Sequence, residues 1–254
     1  MTSRSLHVVL QKLQDEEPGA VFTGCLPVLR SSLERLYFVM IGSPCEVEQY
    51  VTEDQSLRAM YAAAPGFVPK TVASGMLAYN KSEASDGNGI SMRNGRYETW
   101  EECFSVKIED LLQLLREQGG HADLVRKGED VRRGVVPALL GELDIKPAIP
   151  HGDLWSGNAG TDSATGRPFI FDPSSYYGHN EAECGLVHNP PEHDQPIHRT
   201  DVGWVSEVIL PGRADLYELF HHLNHLVVFG RRGYAWSTEK KTDALLEWMN
   251  SERR

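Results

Sequence analysis

No stretch of this 254-residue chain stays apolar for the roughly 18 to 20 residues that a membrane-spanning helix needs. Its amino terminus, MTSRSLHVVLQKLQDEE, turns charged too soon to read as a secretory leader. Cysteine is scarce. Cys25, Cys45, Cys103 and Cys184 stand far apart with no C-x-x-C pair, so neither a zinc knuckle nor a disulfide framework is expected. Positive charge is in deficit too. A formal net charge of −11 repels polyanions, which argues against a nucleic acid polymer or an anionic membrane as partner. A single nucleotide beside a local cation remains compatible with it. No internal repeat is visible. These absences lead us to expect a cytoplasmic globular protein of one large domain or two small lobes.

What is present reads as mixed α and β. RLYFVMI, residues 35–41, is a β-branched and aromatic strand candidate that GSP ends. The following EVEQYVTEDQSLRAMYAAA carries helix formers, with Tyr50, Leu57, Met60 and Tyr61 able to share a face before Pro65 and Gly66 stop it. From Met76 to Arg96 turn formers dominate and periodicity vanishes. ETWEECFSVKIEDLLQLLREQGG then predicts a helix, acidic at its start, with Arg116 near its end and two glycines to stop it. We read the acidic run ETWEE as a solvated first turn. DVRRGVVPALLGEL predicts a second helix, interrupted near Pro137, followed by a short strand before His151 and another in RPFIFD. Residues 188–211 read as irregular. RADLYELFHHLNHLVVFG predicts a helix with Leu216, Leu219, Phe220, Leu223 and Val227 on one stripe, and a last helix is expected over about 238–251.

The chemistry concentrates in HGDLWSGN, residues 151–158, and in the Asp that ends FIFD. A carboxylate can orient a hydroxyl nucleophile. An Asn five positions later can ligate magnesium, and a further Asp after a strand can supply a second metal contact. Asp153, Asn158 and Asp172 stand in that order with strand patterns between them, as in kinase phosphotransfer loops. On spacing alone, two turns and a strand terminator explain the same residues equally well. His221 and His225, four apart on one helix, have metal-ligand spacing, but no acidic partner is placed beside them and packing or polar surface is the preferred reading. Tyr176 and Tyr177 read as packing residues, and Glu181 and Glu183 as ordering the loop beyond Asp172.

HGDLWSGN together with FDPSSYYGHNEAECG, LGELDIKPAIP, NGRYETWEECF and GRADLYELFHHLNHLVVFG resembles the fructosamine kinase family, also called ketosamine-3-kinases or protein-ribulosamine 3-kinases. The likeness covers about 92–187 and 212–240 well and 36–75 moderately. It implies an α+β, protein-kinase-like two-lobed fold, shared with aminoglycoside phosphotransferases and choline kinases. A reduced N-terminal nucleotide-binding β lobe would occupy 1–91 and a mainly helical catalytic lobe 92–254. By the same resemblance Asp153 is the catalytic Asp acting on a sugar 3-hydroxyl, and His151 braces the loop. Asn158 and Asp172 hold Mg2+ and Trp155 lies near the sugar. ATP would be the phosphate donor, and the acceptor a ketosamine, either small or on a glycated protein lysine.

The chain departs from the family pattern in its first third. A Lys that contacts the nucleotide phosphates, and pairs with a Glu for which Glu53 is the candidate, is expected where Met40 stands. Lys70 lies too far along to replace it, and only Gly19 and Gly24 are available for a phosphate-approaching loop. Residues 76–96 replace the strands and hinge that would bond adenine. Two other outcomes therefore stand beside the active kinase: a pseudokinase-like binding protein, and an incomplete product of a family gene. Neither the preferred ketosamine nor the oligomeric state is legible.

Overall fold

The computed structural model describes residues 3–42, 46–75, 93, 95–162, 165–183 and 212–252. The chain divides into two compact units, Met1–Gly89 and Ile90–Arg254. Most of the irregular stretch expected over 76–96, and all of that over 188–211, lie outside the described residues.

In the first unit, helix α1 (Ser3–Glu16) precedes an antiparallel meander of β1 (Phe22–Cys25), β2 (Val28–Ser31) and β3 (Leu36–Phe38), in sheet order β1-β2-β3. The period-2 pattern decides which face is covered. Leu29 pairs with Tyr37 and both point inward onto Leu13, whereas Val28, Leu36 and Phe38 stay exposed. The strand expected over 35–41 is shorter because its partner runs out. β2 begins at Val28, and beyond Phe38 one bond remains, from Val39 N–H to the Pro27 carbonyl at 2.8 Å. Met40 and Ile41 therefore lie past the sheet and are exposed. Helix α2 (Val47–Ala63) follows, and the residues it buries are Glu53 and Ser56. The expected face of Tyr50, Leu57, Met60 and Tyr61 is only half-buried, since the small core of this unit leaves no apolar layer to receive it.

The second unit is helical around one core. Helix α3 (Trp100–Gln118) starts where predicted, with the Thr99 hydroxyl accepting from Glu102 N–H at 3.1 Å and Gly119 closing the other end at φ 76°. Its buried stripe is Trp100, Phe104, Ile108, Leu111, Leu112 and Leu115. Helix α4 (Ala122–Asp130) passes through a widened π turn (Val131–Val135) into the short helix α5 (Val136–Leu140). Proline has no N–H to return to the turn before it, and the widening sits directly ahead of Pro137. The helix expected from Asp130 is thus the second half of a longer, bent one.

A two-stranded antiparallel hairpin, β4 (Ala159–Thr161) with β5 (Pro168–Ile170), comes next. The strand expected before His151 is reduced to one bridge, Ala148 with Gly178. Helix α6 (Arg213–Phe229) runs through the core, and the predicted stripe of Leu216, Leu219, Phe220, Leu223 and Val227 is buried. Gly230, at φ 60°, turns the chain into α7 (Arg232–Glu252), which begins six residues earlier than predicted. That first turn is recruited by the core, where Tyr234 stacks on His225 with ring centroids 5.1 Å apart. No helix among the described residues is long and apolar enough to cross a membrane.

Candidate active site

The β4–β5 hairpin assembles the site. Its register pairs Ala159 with Ile170, and one step further Phe171 N–H donates to the Asn158 carbonyl at 3.0 Å. Asn158 and Asp172 are thereby brought to the same end of the hairpin although 14 positions separate them in sequence. Asp172 is exposed and takes φ 58°, a left-handed conformation that costs a non-glycine residue about 1 kcal/mol or more.

The HGDLWSGN segment is tied to this hairpin atom by atom. Buried His151 places Nε2 2.9 Å from the Phe171 carbonyl, and its Nδ1 accepts from Asp153 N–H at 3.3 Å. These two contacts fix the neutral tautomer with the proton on Nε2, and burial pushes the imidazole below its usual range, keeping it neutral. The His151 carbonyl accepts from Ser174 N–H at 2.8 Å. Gly152 has to be glycine. Its φ is +85°, and a Cβ there would stand 2.1 Å from the Ser174 carbonyl oxygen.

Asn158 is buried, and its Nδ2 donates to the Asp153 carbonyl at 2.8 Å and to Asp153 Oδ2 at 3.1 Å. Desolvation, then the nearby Asp172 charge, raises the Asp153 carboxyl above its ordinary value, while the bond from Asn158 opposes the rise. Two carboxylates, of which one raises the pKa of the other, with an amide whose nitrogen is already committed and whose oxygen is the remaining donor, offer the hard-oxygen ligand types that a magnesium ion takes. Among the described residues no three His, Cys, Asp or Glu side chains gather into a metal-binding cluster. The candidate set is two carboxylates plus an amide. Trp155 is half-buried, and its indole covers Gly157, where a Cβ would come within 2.2 Å of the ring.

Glu183 differs from its sequence reading. It reaches back to the residues around Asp153, accepting from Gly152 N–H at 2.9 Å and Leu154 N–H at 3.2 Å. Burial pushes its carboxyl up and these backbone bonds pull it down. Two residues earlier, Glu181 forms a buried bidentate pair with Arg213 at 2.7 and 2.9 Å. An Arg in the first turn of α6 opposes the helix dipole, and that is the sequence signal for a buried acidic partner. Behind them Tyr217 Oη accepts from Trp100 Nε1–H at 3.0 Å and lies 2.8 Å from His179 Nδ1. Tyr176 packs on this layer as expected. Tyr177 does not, being 70% exposed.

The other predicted ligands belong to the first unit. Gly24 adopts φ +115° in β1, with room for no side chain, since a Cβ would lie 2.8 Å from the Val28 carbonyl oxygen. Glu53 is buried on α2 and engaged in a contact of its own. Met40 is exposed beyond β3, beside a cleft of about 390 Å3 lined by Leu26, Pro27, Phe38, Val39, Ile41 and Tyr50. A thioether offers no charge to a phosphate, so this position does not fit the phosphate-contacting role. His221 and His222 are buried in α6, so the histidine-rich helix contributes packing there and not polar surface.

A hairpin-bound Asp–Asn–Asp set beside a helical core, in a chain with a separate small sheet unit, defines a kinase-like fold. The solved structure of a provisionally named fructosamine-3-kinase from Haemophilus somnus 129PT has that fold, with TM-score 0.67 at 18% identity over 94% of this chain and 96% of that one. Residues 88–248 match the family model for fructosamine kinase, and the chain belongs to that family. It is 34% identical over 153 residues to the chloroplastic protein-ribulosamine 3-kinase of Arabidopsis thaliana, covering 60% of this chain and 46% of that protein. To the ketosamine-3-kinase of Mus musculus it is 32% identical over 149 residues, covering 57% and 46%. The chain thus spans about half the length of the curated relatives it matches.

Proposed function

We propose that the chain transfers the terminal phosphate of ATP to the 3-hydroxyl of a ketosamine, either a small one or a ribulosamine or fructosamine adduct on a protein lysine, in the cytoplasm. Asp153 is the base. Its carboxylate, raised above the usual range, takes the hydroxyl proton as the sugar oxygen bonds to phosphorus and the bond to ADP breaks. His151 holds the turn that aims Asp153. Asn158 and Asp172 hold Mg2+, which when bound neutralises phosphate charge. Trp155 lines the sugar side. The unit Met1–Gly89 is a reduced nucleotide lobe, in which Gly24 permits close backbone approach and Glu53 marks the position of the family's ion pair.

One observation carries the reading. A single buried side-chain amide, that of Asn158, binds both the main chain and the carboxylate of Asp153, while the Asn158 main-chain carbonyl accepts from Phe171 N–H, one residue before Asp172. A mere turn has no need for that convergence. Titration calorimetry with Mg2+ and ATP tests it. Binding is expected in the wild type and at least tenfold weakened by Asp172→Ala, as the loss of one charged ligand implies; equal binding by both would sink the metal assignment.

A second reading, a binding protein without turnover, is favoured by Met40, which leaves the phosphates without their lysine. Met40→Lys separates the two. The variant is expected to bind ATP more tightly by about tenfold, the worth of one added charge-assisted contact. Ketosamine phosphorylation by the variant favours the kinase, and tighter ATP binding without any transfer favours the binding protein.

A further inference from the structure

Lys107 is the residue whose place in the fold the site leaves unexplained. It is half-buried on α3, and among the described residues no carboxylate lies within ion-pairing distance of its ammonium. Desolvation pushes its pKa down, with Cys103 and Asp110 opposing. An unpaired lysine held in such surroundings costs free energy that a Met or Leu would not. What it faces is a ring. Its Nζ stands 4.5 Å from the centroid of Tyr176.

Tyr176 lies along one stripe of α3. Trp100 and Lys107, seven positions apart, share that helix face. The Trp100 indole is parallel to the Tyr176 ring, with centroids 6.0 Å apart and an interplanar angle of 3°. The fit is close, since a Cβ on Gly178 would come within 2.5 Å of Trp100 and 2.8 Å of Tyr176. The run from Asp172 to Gly178 has no regular structure of its own. Its backbone is held by Ser174 N–H to the His151 carbonyl and by the reciprocal bonds of Gly178 with Ala148, at 2.8, 3.0 and 2.9 Å. At its head stands Asp172 in a left-handed conformation, φ 58°, which gains from the run being held. Tyr176 is the aromatic side chain that anchors the run in the core, Tyr177 beside it being exposed.

We infer that Lys107 is a positioning residue: by clamping Tyr176 against α3 it holds the Asp172–Gly178 run, and so fixes where the Asp172 carboxylate stands beside Asn158. The consequence for metal binding rests on the role proposed above for Asp172, whereas the clamp itself does not.

Two measurements on Lys107→Met and Lys107→Arg test the inference separately. Hydrogen exchange reads the clamp: in K107M the Ser174 and Gly178 amides should exchange about tenfold faster, and K107R, which keeps a cation over the ring, should restore them. Mn2+ binding with ATP, followed by electron paramagnetic resonance, reads the consequence, with affinity about tenfold lower in K107M and recovered in K107R. Unchanged exchange in K107M overturns the inference, as does faster exchange that K107R fails to restore. If the wild type binds no Mn2+ with ATP, the metal role of Asp172 falls, and the exchange result still decides the clamp. Should K107M fold poorly, Tyr176→Leu removes the other partner. Lys107→Gln, uncharged but polar, is then expected to accelerate the Ser174 and Gly178 amides in the wild-type background and to add nothing in Y176L; equal added acceleration in both backgrounds contradicts the coupling.

Discussion

Around Asp153 the backbone has more partners than a loop usually receives, and most of them come from far away in sequence. Glu183 holds the Gly152 and Leu154 amides from 31 and 29 residues downstream. Removing it leaves two partly buried N–H groups unsatisfied, each costing about 1 to 3 kcal/mol. Glu183→Ala is therefore expected to lower the melting temperature by several degrees and to cut turnover more than it raises the sugar KM, because the loop that aims Asp153 loosens. A rise in KM alone would place Glu183 in substrate binding instead. The order Asp153, Asn158, Asp172 was legible because spacing and flanking strand patterns are local properties of a sequence. The Glu183 grip was not, since it depends on a chain reversal that no short-range pattern encodes. His151 lay between these cases. Its presence in the turn was visible, but its tautomer needed the Phe171 carbonyl and the Asp153 amide to be in place.

At the scale of elements, the helices were the most legible. The α3 and α6 stripes follow directly from apolar spacing, and Thr99 and Gly119 mark both ends of α3. Boundaries set by tertiary partners were missed: β3 stops where β2 turns away, and α7 begins early because Tyr234 is drawn onto His225. Helix α6 carries a liability that the sequence left open. His221 and His222 are buried, and desolvation brings their pKa down to about 3 and about 4 from the ordinary 6.5, with the contact of His221 to the Ala182 carbonyl opposing the drop. Both are neutral in the fold, so below pH 6.5 the unfolded chain binds more protons than the native one. Stability is then full above about pH 6.5 and falls as pH drops toward 4, by on the order of a few kcal/mol. Urea melts between pH 7.5 and 4.5 should show the decline, and His222→Gln should flatten it. An unchanged slope in that variant would remove His222 as its source.

For the whole molecule, the Asp153–Asn158–Asp172 site and all but the first two residues of the family match fall in the second unit, where the long literal runs of the sequence also lie. Among the described residues the first unit has a meander and two helices, α1 and α2, and it carries a thioether where the family resemblance leads us to expect a lysine. A net charge of −11 sets a general field against any polyphosphate ligand, which only local cations oppose. Asp153 is proposed as the base of a working phosphotransfer site. Its most direct test is phosphate transfer from ATP, with Mg2+, to a ribulosamine-bearing lysine peptide, read by mass spectrometry for the wild type and Asp153→Asn. The expected result is transfer by the wild type and a loss of about 10² to 10⁴ in rate for the variant, with its melting temperature unchanged or higher because the repulsion from Asp172 is gone. Equal rates in the two proteins, or no transfer by folded wild type, would contradict it.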